Sequence, residues 1–127
     1  LFQVSCEVFY MFDHIGGPSQ EIKVNFSTVP ADNSRTKKLE NPVRFKAGDL
    51  IGYSSEPRFG ADFGVYNTTK QNPYADLEPA YKNDLRYAHA VCPFDYFSHD
   101  KKLFYYNLLK NADESPLNNP QSLCSKP

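Results

Sequence analysis

Tryptophan is absent from this 127-residue chain, methionine occurs once and glycine only six times. Cysteine appears three times, as Cys6, Cys92 and Cys124, without a CxxC pair. That excludes a dense disulfide scaffold or a cysteine-built metal centre, and leaves open one disulfide with a free thiol or three free thiols. There is no HExxH, and no two of the histidines His14, His89 and His99 are separated by one residue. Gly16-Gly17-Pro18 lacks the strand–loop–helix setting of a phosphate loop. Charge of one sign is missing too: 14 basic side chains face 15 acidic ones, for a net charge of -1. The one basic cluster, Arg35, Lys37 and Lys38, is followed by Glu40, so no nucleic-acid partner is expected. No apolar run reaches the length of a membrane span, so no membrane insertion is expected. The apolar opening LFQVSCEVFYMF carries Glu7 and no basic n-region, and does not read as a signal peptide. Its start at Leu1 is expected of a processed chain or a fragment of a longer one.

What is plentiful is proline, tyrosine and phenylalanine, at ten, nine and ten residues. The aromatics favour strands and the prolines favour turns. Alternation predicts a strand over 2–12, with Phe2, Val4, Cys6, Val8 and Tyr10 on one face, ending at Asp13 and His14 before a glycine turn. A second strand is predicted over 21–29 and a polar loop over 30–42. Two short strands are expected to flank the Ala47-Gly48-Asp49 turn, with Leu50, Ile51 and Tyr53 buried. Further strands are predicted over 60–66 and 87–91, separated by a loop over 67–86. Ser98 is a plausible N-cap for a helix to about Lys110. The expected organisation is a single β-rich domain over 1–110 with an irregular tail over 111–127. Asn25-Phe26-Ser27 and Asn67-Thr68-Thr69 match the N-glycosylation triplet, which matters only in a eukaryotic secretory setting.

Strand ends bordering loops commonly carry function. His14 follows Asp13 at such an end. Asp62 is flanked by small and apolar neighbours, so its carboxylate needs a hydrogen bond, a partner or a groove. His89 lies between alanines. Asp13 and Asp62 are also the carboxylates from which a sugar-hydrolysing pair would be drawn.

Four pieces in order then carry a resemblance: Val8 to Ile15, Phe45 to Gly52, Gly60 to Val65, and Cys92 to Phe97. Over roughly residues 7–97 this order resembles the LytM-like zinc metallopeptidases of the M23 group. The resemblance implies a mainly β fold, the duplicated hybrid motif, as a β-sandwich or barrel-like domain with a short C-terminal helix. It makes His14 the counterpart of a catalytic histidine. Gly60 and Asp62, however, stand where the family's His-x-His places its histidines. Only thirteen residues precede His14, too few for the segment that supplies the other two metal ligands, so the N-terminal part of the family fold is expected to be missing. A catalytic zinc site normally needs three protein ligands and an open position.

The expectation is therefore a non-catalytic peptidase-like domain, without catalytic residues, metal or cofactor. Its degenerate groove would hold His14, Asp62, His89 and Asp13, and would serve a binding or structural role toward a protein, peptide or glycan. The alternatives are a metal-dependent hydrolase with an altered site and a protein–protein interaction module in a larger assembly. Tyr10, Tyr53, Tyr66 and Tyr87 are candidate stacking residues. The resemblance implies an extracytoplasmic or cell-envelope location.

Overall fold

A computed structural model describes residues 1–25, 41–54 and 61–120. The Arg35–Lys38 cluster, Gly60, Cys124, and most of the loop expected over 30–42 lie outside the described residues.

The first expected strand is in fact a hairpin. Strand β1 (Phe2–Gln3) pairs antiparallel with β2 (Val8–Asp13), Phe2 opposite Tyr10. The break has a local cause: Ser5 Oγ accepts the backbone N–H groups of Glu7 and Val8 at 3.2 and 3.1 Å. A side chain that satisfies the backbone in this way favours a turn over continued extension. Beyond β2 come β3 (Ile15–Pro18) and a single helical turn, α1 (Gln20–Lys23), where the alternation of Ile22 and Val24 had predicted a strand. Strand β4 (Gly52–Ser54) pairs antiparallel with β3, with a bulge between Ile15 and Gly17.

The second half begins with β5 (Asp62–Asn67). Short 3₁₀ turns follow at Pro73–Leu77 and Pro79–Tyr81, then a helical turn, α2 (Leu85–Ala88). Strand β6 (Ala90–Val91), a 3₁₀ turn at Pro93–Tyr96 and the ten-residue helix α3 (His99–Leu108) complete the described elements. The strand expected over 87–91 is thus half helix. Asp84 caps α2, its Oδ1 accepting the Arg86 N–H at 2.9 Å, and only Ala90 and Val91 remain to pair with β5.

These elements correct the expected fold class. Among the described residues there are two open sheets, one four-stranded in the order β1-β2-β5-β6 and one two-stranded, β3-β4. Neither closes into a barrel, and they do not form the duplicated hybrid motif. The C-terminal helix is a substantial element, so the chain is a mixed α/β protein and not a predominantly β, M23-like domain. The physical reason is that short turn motifs in order fix local geometry but not strand pairing, which long-range packing decides.

The chain divides into two compact units, Phe12–Asp62 and a second formed by Leu1–Met11 with Phe63–Pro127. The discontinuous unit holds the core: Val65, Tyr66, Ala75, Ala88 and Tyr106 are buried. A run of aromatic contacts joins its elements. Tyr10 meets Phe63 edge-on at 5.5 Å, Phe63 stacks on Phe97 at 5.7 Å, and Phe94 lies 4.5 Å from Tyr106. Aromatic pairs at these separations add to what burial alone contributes. Asn67 ties the end of β5 to the turn at 93–96: its Nδ2 donates to Tyr96 Oη at 2.8 Å, and its Oδ1 accepts from the Thr69 hydroxyl at 2.7 Å. After α3, Asn111 closes a small turn by donating to the Ser115 carbonyl and hydroxyl, both at 2.9 Å.

The 12–62 unit differs in its described residues. Among its described residues no apolar side chain is fully buried, and the one buried polar residue is Ser19. It is held by the β3–β4 ladder and by the Ser19 N–H, which donates to the Ile51 carbonyl at 2.8 Å. Gly52 makes this pairing feasible. A Cβ there would lie 2.5 Å from Ile15 Cγ2 and 2.7 Å from the Gly17 carbonyl oxygen.

Candidate functional site

Of the residues singled out in the sequence, His14 and Asp62 come together. His14 Nε2 lies 3.5 Å from Asp62 Oδ2, with side chains 57% and 67% exposed. Both belong to the 12–62 unit, near its first and last residues. His14 has a positive φ of 57°, unusual for a residue with a side chain. Asp13 supports it locally, its Oδ1 accepting the His14 N–H at 2.8 Å. His89 belongs to the other unit, where its Nδ1 lies 2.7 Å from the Lys70 carbonyl oxygen. Among the described residues no group of three or more histidine, cysteine or acidic side chains is arranged to hold a metal ion.

A different feature of the 12–62 unit was not anticipated from the sequence. An open cleft of about 560 Å³ runs between α1 and the chain around the Gly48 turn. Lys23 and Arg44 contribute cations to its lining, and Glu21 and Asp49 contribute acids. All four side chains are exposed, and no ion pair joins them among the described residues. Asp49 has one internal role, its Oδ2 accepting the Lys46 N–H at 2.7 Å to close the turn. Leu50 and Tyr53, expected to be buried, are instead 54% and 66% exposed and line the cleft.

Ser19 lines the same cleft and is 8% exposed. It stands at the N-cap of α1, yet its hydroxyl makes no capping bond; its Oγ is buried without a partner among the described residues. Leaving such a group unpaired costs roughly 1–3 kcal/mol. The available sequence signal was the pattern Ser19-Gln20-Glu21, an N-cap followed by an acid in the first turn, overshadowed by alternation too short to define a strand.

The tyrosines separate by environment. Tyr66 is buried and donates to Met11 Sδ at 3.4 Å; Tyr87 stacks on Tyr81 at 4.2 Å. Beside that stack, Arg86 grips Asp84 through two side-chain bonds of 3.2 and 2.9 Å, which hold the Asp84 carboxyl below its ordinary range. Cys6 is a free, exposed thiol, whereas Cys92 is disulfide-bonded. No helix among the described residues is long and apolar enough to cross a membrane.

No protein-family model, curated protein or solved structure matches this chain.

Proposed function

We propose that this protein is a non-catalytic binding module whose ligand, a peptide or glycan, enters the cleft of the 12–62 unit. The observation that carries this reading is the cleft itself, where exposed Leu50 and Tyr53 stand beside Lys23, Arg44 and Glu21, which form no ion pair among the described residues. Apolar and charged side chains thus share one concave surface, a combination that ligand sites use for contact area and orientation. The disulfide at Cys92 supports an oxidising, extracytoplasmic location. Amide NMR titration of the native chain with short peptides and oligosaccharides tests the reading. Binding is expected to shift resonances of residues 18–23 and 44–53, and Tyr53→Ala to weaken it. Ligands that bind while leaving that set unmoved would place the function elsewhere.

The approach of His14 to Asp62 favours one second reading, a hydrolase with an altered metal site completed by further ligands. Metal content of protein purified without chelator separates the two. Near-stoichiometric zinc that disappears in Asp62→Ala supports the hydrolase; no zinc in either protein, even after supply, counts against it.

A further inference from the structure

The cleft contains charges of both signs that do not neutralise one another. Lys23 and Arg44 make no ion pair with Glu21 or Asp49, although all four line one cavity. A purely anionic ligand would meet two acids there, and a purely cationic ligand two cations. A neutral sugar leaves both pairs of charges unmatched. The remaining lining combines apolar and aromatic surface at Pro18, Phe45, Leu50 and Tyr53 with the polar Gln20. The complement of that surface has one cationic end, one anionic end, an apolar side chain and amide groups that hydrogen-bond.

We infer that the cleft takes a short peptide with free amino and carboxylate ends and an apolar side chain. The inference rests on the binding reading above and narrows its ligand class. Arg44 and Lys23 take the carboxylate, Arg44 through the planar fork suited to that group. Glu21 takes the ammonium, with Asp49 adding negative charge while it holds its own turn. The apolar side chain lies against Leu50 and Tyr53, and the exposed Gln20 amide is available to the peptide backbone.

The test uses the native chain and three probes at millimolar concentration: the tripeptide Ala-Leu-Phe with free ends, the same peptide N-acetylated and C-amidated, and maltotriose. Titration calorimetry and amide shifts at residues 18–23 and 44–53 are the readouts. The free peptide is expected to bind at least about tenfold tighter than the capped form. Arg44→Gln is expected to remove most of the advantage of a free carboxylate over an amide, and Glu21→Gln that of a free amino end. Both positions are exposed, so both variants keep the fold. Capped peptide or maltotriose binding in the cleft as tightly as the free peptide overturns the zwitterion inference and leaves the binding reading intact. If none of the three moves the cleft resonances, both fail together.

Discussion

Replacing Gly52 with alanine probes the close approach of two backbones in the β3–β4 ladder. The added Cβ would lie 2.5 Å from Ile15 Cγ2, 2.7 Å from the Gly17 carbonyl oxygen and 3.0 Å from Pro18 Cα. Two of those three atoms are backbone and cannot rotate away, so the strands must separate. Overpacking of this kind costs about 1–3 kcal/mol, and backbone contacts place Gly52 in the upper part of that range, about 2–3 kcal/mol. The 12–62 unit has little to offset this, since no described apolar side chain in it is fully buried. Native-state hydrogen exchange is the appropriate assay because it resolves local opening. The Ser19 amide and the β3–β4 amides should exchange roughly 30- to 150-fold faster in the variant. The β5–β6 amides should keep their protection. Gly48→Ala is the control: its φ of 94° carries a backbone cost of roughly 1–2 kcal/mol, but nothing lies within 4 Å of the new Cβ. Its effect should therefore be smaller. Unchanged β3–β4 protection in Gly52→Ala would refute the packing argument.

Three other predictions concern the discontinuous unit. Asp84→Ala should cost about 1 kcal/mol at pH 7 through loss of the α2 cap, as read by urea denaturation. Because Arg86 depresses the folded-state pKa of Asp84, this contribution is present above the unfolded carboxyl value and lost as pH falls through the folded one, so parent and variant should converge in strong acid. Tyr106→Ala should cost about 3–5 kcal/mol in thermal or urea unfolding, since the ring is buried against Phe94. Gly64→Ala places a Cβ 2.8 Å from Tyr66 Oη, so Tyr66→Phe should partly rescue it. A double-mutant cycle should return a coupling of about 0.5 kcal/mol or more, and strict additivity would refute the contact.

The sequence was most legible where one local signal dominated. Ser98 ahead of an acid-initiated apolar stretch placed α3 at His99–Leu108, within two residues at its end. The strand ending at Asp13 and the β5 segment followed from alternation alone. Legibility failed where a polar side chain redirected the backbone, as at Ser5 in the hairpin and Asp84 at α2. It failed again for the fold, because a series of turn motifs does not specify which strands pair. His14 was visible as a strand-end polar residue and Asp62 as a carboxylate within a strand, but their approach is a tertiary fact. The cleft was less visible still. Leu50 and Tyr53 carry the signature of buried strand residues and yet are exposed.

The chain leaves β2 to form the 12–62 unit and re-enters at β5, and β2 and β5 are hydrogen-bonded neighbours in one sheet. His14 follows the last residue of β2 and Asp62 is the first residue of β5, with 3.5 Å between Nε2 and Oδ2. This is the wiring of a cassette: a stretch threaded through a single doorway, which can lengthen, shorten or be exchanged without rerouting the strands that frame it. Sequence change can therefore accumulate within that loop of chain while the aromatic core stays as it is.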